Sequence, residues 1–360
     1  MAELLTRRGA IPLPAFLPDA TRGAIRAAPI EDVRAAGLFG VVMNAHHLSN
    51  RPGAAAIKAL GGLHRFTGFD GPILTDSGGF QLYSLLRENP KRGEVRDGEV
   101  VFRREGDGKK AIYTPEKCVQ AQARFGSDIL MALDACTHPD DPPEAQRVSV
   151  ERTVKWARRC RDEFDRIYEN REGHPLLFGI VQGGGDRDLR SECGERLRAI
   201  GFDGYGFGGW PLGGDGSFRR DILRMAADAM DDRLPKYAMG LGRPEEIVEL
   251  VGMGYSLFDC VIPTREARHH RLYRFREGMA TPEGIRRGSV AFYEHVYILD
   301  DRHAREAGPI EEGCDCPICA GRSRAYLHHL LKLDDPQGLR YCTAHNLRFY
   351  GRLMELLRRD

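Results

Sequence analysis

The chain has 360 residues, is 42% hydrophobic and 29% charged, and carries a formal net charge of +1. That length buries a large core in one large domain or two ordinary ones, and the composition excludes a disordered chain or a membrane span. The near-neutral charge means that any polyanion binding has to come from local clustering.

Between Met1 and Pro18 no apolar stretch leads to a small-residue cleavage site, so no secretory leader is read and a cytoplasmic protein is expected. Short apolar runs then recur at Ala15–Leu17, Val41–Asn44, Ile73–Asp76, Ile129–Asp134, Leu177–Gln182, Tyr205–Gly208, Tyr237–Gly240 and Leu257–Val261. Amphipathic stretches lie between them. Pro29 to Ala36 is stopped by Gly37, Thr114-Pro115-Glu116 supplies a cap, a first-turn proline and an acid, and Arg219–Met230 and Pro244–Val251 follow the same scheme. Eight strands alternating with helices indicate an α/β fold, a (β/α)8 TIM barrel, with a doubly wound open sheet as the alternative. The barrel is expected over residues 1–261 and an appendix over 262–360. The acidic, proline-rich stretch from His138 to Glu144 reads as a solvated loop.

In such a barrel the C-terminal strand ends line the active face. Here they carry Asn44, Asp76, Asp134, Gln182, Gly208-Gly209, Gly240 and Asp259. Any one of these polar residues is explained as a cap for the following helix. Together they describe a site that reads a hydrogen-bonding ligand.

Six of the nine cysteines (Cys118, Cys136, Cys160, Cys193, Cys260 and Cys342) are scattered and read as small buried hydrophobes in a reducing compartment. Cys314, Cys316 and Cys319 form a C-x-C-x-x-C run instead. Three thiols so close cannot all pair as disulfides, but they can converge on a tetrahedral zinc ion that needs a fourth ligand. His345 is favoured for that place, with Cys342 and the His328/His329 pair, on a helix expected over Ser323–Leu333, as alternatives. Four protein ligands close the site, so the metal stabilises the fold and leaves no open position for catalysis.

Four long stretches occur in one order: Gly71-Pro72-Ile73-Leu74-Thr75-Asp76-Ser77-Gly78-Gly79-Phe80-Gln81; Gly126-Ser127-Asp128 through Leu133-Asp134; Phe178-Gly179-Ile180-Val181-Gln182-Gly183-Gly184; and Phe258-Asp259-Cys260-Val261-Ile262-Pro263-Thr264-Arg265. With the cysteine run and Thr343-Ala344-His345-Asn346, they resemble the signature of tRNA-guanine transglycosylases from about Pro12 to the C-terminus. The resemblance implies a TIM barrel with a zinc subdomain, one structural Zn2+ held by Cys314, Cys316, Cys319 and His345, and a homodimer. It implies exchange of a guanine in the tRNA anticodon loop for a 7-deazaguanine, a step of queuosine biosynthesis, with Asp259 as nucleophile and Asp76 moving protons. Asp134 with Ser77 would read the guanine N1–H and N2–H2 donors, Gln182 and the Gly209 N–H would face O6, and Phe80 and Met239 would sandwich the ring. Core packing is the competing reading for Phe80 and Met239.

From Arg265 to Arg276 five arginines interleave with two aromatics, a pattern suited to phosphate contact and stacking on unpaired bases. The resemblance implies that Arg265 and Arg268 read bases beside the exchanged one. Four positions depart from the pattern of members that insert the aminomethyl base preQ1: Ala135 and Gly214 replace acids, Trp210 replaces a leucine, and His269-His270 follows the proline-threonine-arginine motif. Asp215 substitutes for the missing acid if its loop shifts by one residue. With two carboxylates gone, queuine or the uncharged nitrile preQ0 is the expected incoming base. Two other readings are the same chemistry on DNA, and a silent tRNA-binding partner subunit; the presence of both Asp76 and Asp259 speaks against the second.

Overall fold

The computed structural model describes residues 2–104, 108–138, 141–169, 171–212, 217–287 and 291–359. All eight apolar runs form parallel strands: β1 (Ala15–Pro18), β2 (Val41–Asn44), β3 (Ile73–Asp76), β4 (Ile129–Met131), β5 (Leu176–Val181), β6 (Gly204–Phe207), β7 (Lys236–Ala238) and β8 (Leu257–Cys260). From β2 to β8 each strand pairs with the next, and β8 pairs with β1 with Asp259 opposite Leu17. Between β1 and β2 the ring is completed by a parallel bridge from Asp19 to Val42 and by the bond from Ala20 N to Val42 O at 2.7 Å. The two ends of the sheet meet, which excludes the open doubly wound arrangement.

Strands buried on both faces read as continuous apolar runs, which is why they stood out. Leu17, Val42, Leu74, Met131, Ile180, Tyr237 and Leu257 fill the barrel interior. Alternate residues, such as Phe16, Met43, Phe207 and Phe258, pack outward against the helices. Full burial of a side chain of this size contributes about 1.5–3 kcal/mol, so the two layers together dominate stability.

The helical punctuation holds at Pro115–Phe125, Arg220–Ala229 and Pro244–Val251, whereas the stretch from Pro29 to Ala36 forms only the short helix Asp32–Ala35. Thr114 Oγ1 accepts from Lys117 N at 3.2 Å to cap Pro115–Phe125, and Ser323 caps Arg324–Lys332. After Asp32–Ala35 the chain reverses at Gly37, whose φ of +77° places it in the left-handed region. Three additions were not visible in the sequence. A hairpin, Glu3–Thr6 with Gly9–Pro12, covers the lower end of the barrel and adds Leu4 and Ile11 to its interior. A three-stranded antiparallel sheet, Gly93–Val95, Val100–Arg103 and Lys110–Tyr113, is inserted between β3 and β4. Beyond β8, the hairpin Arg271–Phe275 with Tyr293–Tyr297 precedes the cysteine run.

Helix Pro336–Leu357 returns from this segment to the barrel wall. The Tyr350 ring packs tilted against Phe16 with centroids 4.5 Å apart, and its hydroxyl donates to Gly242 O; just past the helix Arg358 Nε donates to Pro14 O at 2.9 Å. A Cβ at Gly351 would lie 1.8 Å from Ala36 O, so only glycine permits this close crossing. No helix among the described residues is long and apolar enough to cross a membrane.

Candidate functional site

The C-terminal strand ends surround a cavity of about 470 Å3. Asp76 ends β3. Its Oδ2 accepts from Asn44 Nδ2 at 2.7 Å, and its Oδ1 accepts from Ala45 N at 3.3 Å and Gly78 N at 3.1 Å. Asn44 also caps its own helix by accepting from His47 N, so the capping and site readings are both correct for it. The turn after Asp76 needs glycine: Gly78 has φ of +77°, and a Cβ there would lie 2.7 Å from the His46 Cβ. Asp259, on β8, accepts on Oδ1 from Tyr237 Oη at 2.7 Å and from Gly240 N at 2.6 Å. Both bonds fall on one oxygen, leaving Oδ2 toward the cavity.

Burial pushes Asp76 up to about 7, aided by the neighbouring charge of Asp259. Burial likewise raises Asp259 to about 6, against the hydrogen bonds from Gly240 and Tyr237, with Asp19 adding to the rise. Two carboxyl groups in one cavity are therefore pushed toward neutral pH, to different extents.

Across the cavity Asp134 Oδ2 accepts from Gln182 Nε2 at 2.6 Å and from the Cys136 thiol at 3.4 Å. Burial raises the Asp134 pKa while these bonds oppose the rise. Ser77, Phe80, Gly209 and Met239 also line the cavity. Phe80 is 43% exposed and lies 5.5 Å from Trp210, so the core-packing alternative does not describe it. Gln182 departs from its expected place. It is fully buried behind the wall, its amide committed to Asp134, with Oε1 unpartnered. It braces Asp134.

Three cavity residues were missed by sequence reasoning. Asp19 lies just past β1, where Pro18 ended the apolar run and hid a polar strand-end residue. Tyr237 read as a strand hydrophobe, although an inward tyrosine hydroxyl needs a partner, which here is Asp259. Cys136 read as a buried hydrophobe, but it is half-buried, lines the cavity and donates to Asp134. The other five scattered cysteines are buried as expected. Gly214 and Asp215 lie outside the described residues, as do Pro139 and Asp140 of the acidic loop.

Far along the chain, the Cys314, Cys316 and Cys319 thiols and one His345 ring nitrogen all lie within 4.8 Å of one another. His345 Nδ1 is 3.4 Å from Cys316 Sγ, 3.4 Å from Cys319 Sγ and 3.8 Å from Cys314 Sγ. Ligands around a tetrahedral ion with metal–sulfur bonds of about 2.3 Å stand roughly 3.5 Å apart, so the spacing fits one metal ion. His345 Nε2 lies 2.6 Å from Tyr273 O, a carbonyl that only accepts. The proton therefore sits on Nε2, and the Nδ1 lone pair faces the sulfurs. Cys342 and His328 are buried but outside this group.

The sequence profile described as queuine tRNA-ribosyltransferase matches residues 1–360. The chain belongs to that family. It is 40% identical over 353 residues to the queuine tRNA-ribosyltransferase of Novosphingobium aromaticivorans, covering 98% of this chain and 88% of the relative. The protein of the same name from Methylacidiphilum infernorum is 37% identical over 362 residues, 99% of this chain and 90% of the relative. That of Symbiobacterium thermophilum is 40% identical over 361 residues, 99% and 83%.

Within this family member the arginine-rich stretch does not form one continuous surface. Helix Ile262–Arg268 carries exposed Arg265 and half-buried Arg268, whose Nη1 donates to Thr264 O at 3.0 Å. The chain then turns at His270, with φ of +60°, into strand Arg271–Phe275. There Arg271 pairs with Glu266 and Arg274 with Glu294. Tyr273 and Phe275, expected to stack on bases, are 3% and 6% exposed and pack on Phe349. The expectation of base stacking by these two rings is corrected, because the strand packs against helix Pro336–Leu357. Arg265 and Arg268 lie on the helix that follows β8, and neither lines the cavity.

Proposed function

We propose that this protein is a tRNA-guanine transglycosylase, a pentosyltransferase that exchanges a guanine of the tRNA anticodon loop for a 7-deazaguanine without cutting the backbone. The observation that carries the reading is the pair Asp76 and Asp259, held in one cavity opposite Asp134 and pushed to different proton affinities. Full-length membership of the family supports it.

Asp259 Oδ2 attacks the ribose C1′. The bond from C1′ to the base nitrogen breaks, its electron pair stays on the departing guanine, and Asp76 donates a proton to that base. The covalent ribosyl-aspartate is then attacked by the incoming base, whose proton passes to Asp76, and Asp259 leaves as a carboxylate. Two displacements at one carbon retain its configuration. Asp134, whose ionised form is favoured by its bonds from Gln182 and Cys136 against the rise that burial causes, accepts from the guanine N1–H and N2–H2, with Ser77 beside it. The Gly209 N–H faces O6, and Gln182 acts on that edge through its hold on Asp134. Phe80 and Met239 flank the ring. The four-ligand group takes zinc, which supplies no chemistry here and ties the 314–319 loop to helix Pro336–Leu357. Arg265 and Arg268 bind RNA next to the exchanged base. Nine free cysteines support a reducing, cytoplasmic setting.

The test is exchange of radiolabelled guanine into a tRNA transcript, with trapping of a protein–RNA adduct resistant to denaturant. Absence of both exchange and adduct would overturn the reading.

The paired carboxyls also dictate a pH profile. Covalent-bond formation needs Asp259 ionised and Asp76 protonated. Activity should fall below about pH 6 as Asp259 takes a proton, and above about pH 7 as Asp76 loses one. The two limbs belong to the coupled pair. A kcat/KM profile flat from pH 5 to 9 would contradict the assignment.

Base choice follows from the wall beside Asp134. Ala135, next to Asp134 in sequence, is buried and neutral and does not reach the cavity lining, its N–H given to Thr153 Oγ1 at 3.0 Å, so no carboxylate follows Asp134 on this wall, which Trp210 also lines. An ammonium buried there without a partner costs several kcal/mol. Queuine or preQ0 should therefore be incorporated in preference to preQ1, checked with each labelled base. Efficient use of preQ1 alone would reject this choice.

A further inference from the structure

Among the described residues Asp19 is the fourth aspartate that lines the cavity, and the mechanism above leaves it without work. Its position follows from strand register. Asp259 pairs with Leu17, whose side chain belongs to the barrel interior. Side chains alternate along a strand, so Asp19 points to the same inner side as Leu17 and Asp259. It stands two residues further toward the mouth, a rise of about 6–7 Å. There it shares the cavity rim with Thr21 and Val261.

The base pocket, built from Asp134, Ser77 and Gly209, is elsewhere on the wall. Arg268 lies on the other side, close enough for its charge to sense Asp19, and Asp19 also acts on Asp259 and Tyr237. Asp19 thus occupies the space between the nucleophile and the RNA-facing helix, where the sugar of an inserted nucleotide has to pass. Thr21 Oγ1 donates to Asp19 Oδ1, and among the described residues nothing donates to Oδ2. No lysine, arginine or histidine among the described residues lines the cavity to neutralise it.

An ionised carboxylate accepts hydrogen bonds and repels phosphate. The donor that a nucleotide offers on the carbon bonded to C1′ is the 2′-hydroxyl, the group that distinguishes RNA from DNA. We propose that Asp19 accepts a hydrogen bond from the 2′-hydroxyl of the ribose that Asp259 attacks, and so selects ribose over deoxyribose. This rests on the base-exchange reading above. The same charge favours the positive character that develops on the sugar ring as the base departs.

The test crosses one substitution with one change in substrate. Wild type and Asp19→Asn are assayed for exchange of labelled guanine into an anticodon stem-loop RNA and into the same RNA with 2′-deoxyguanosine at the exchanged position. A hydrogen bond to a charged acceptor predicts a loss of roughly 10- to 100-fold for wild type on the deoxy substrate, and a similar loss for Asp19→Asn on the ribose substrate. The two losses should not add: the variant should hardly distinguish the substrates. Equal fold-losses for Asp19→Asn on both substrates, or none on the ribose substrate, would overturn the proposal. If Asp19→Asn does not fold, wild type alone decides, since equal rates on the two substrates would overturn it. Absence of guanine exchange by wild type on either RNA would instead defeat the base-exchange reading itself.

Discussion

Asp259→Asn is expected to slow guanine exchange by at least roughly 10⁴-fold, and no RNA adduct should be trapped. Asparagine keeps the geometry, because its Oδ1 can still accept from Tyr237 Oη and Gly240 N. What disappears is the anionic oxygen that faces the cavity. Asp76→Asn should behave differently. The nucleophile remains, but the departing base lacks its proton donor, for which about 10²–10⁴-fold is typical. Removing the Asp76 charge also removes part of the local repulsion. The two variants therefore separate bond formation from proton transfer, and equal effects on adduct yield would contradict the division of roles.

The same pair sets the sign of a stability effect. Asp259 holds its proton more tightly folded, at about 6, than at the ordinary value of 3.8. Its contribution to stability is full below about pH 4 and is lost as pH rises through about 6. At pH 8 the ionised group costs on the order of 1–3 kcal/mol, the lower part of that range reflecting its wetted cavity face. Asp259→Asn should accordingly melt higher than wild type at pH 8 while being inactive. A variant that lost activity and melted lower would point to unfolding as the cause.

What could be read from the sequence depended on how far each signal extends along the chain. Barrel strands are buried on both faces, so runs such as Ile73–Asp76 and Leu257–Val261 stand out locally. Of the strands at 93–113, Gly93–Val95 and Lys110–Tyr113 are half-exposed and carry Glu94 and Lys110, which gives them the composition of a loop, and the buried run Val100–Phe102 between them is too short to stand out. Asp19 was hidden by Pro18, an ordinary strand terminator that here occupies the last position of β1. The arginine-rich stretch misled for a geometric reason. Twelve neighbouring residues in sequence become a helix, a left-handed turn and a strand, which scatter their guanidinium groups onto Thr264, Glu266 and Glu294. Gln182 shows the remaining limit: strand-end position identified it, but only packing reveals that its amide is committed to Asp134.

Cys316→Ala should reduce bound zinc from one per chain to near zero and lower the melting temperature by roughly 10 °C, as expected for a loss of about 4 kcal/mol in a chain of this size. Cys316 is 2% exposed and sits among Ala267, Leu272, Val296, Ile298 and Ile310. Its sulfur and the His345 ring join the 314–319 loop to helix Pro336–Leu357, the helix that packs on β1 through Tyr350 and Phe16. Loss of the metal therefore loosens the segment after β8, including the helix that bears Arg265 and Arg268, while Asp76, Asp134 and Asp259 stay on barrel strands or just beyond them. In the cold, kcat for guanine exchange should remain within a few-fold of wild type while KM for tRNA rises. Zinc content by mass spectrometry, a melting scan and the split between kcat and KM check the three parts of this prediction. A variant that kept its zinc and its melting temperature would show that the four side chains do not act as one ligand set, and a collapse of kcat with KM unchanged would place the metal's influence on the carboxylates instead of on the segment after β8.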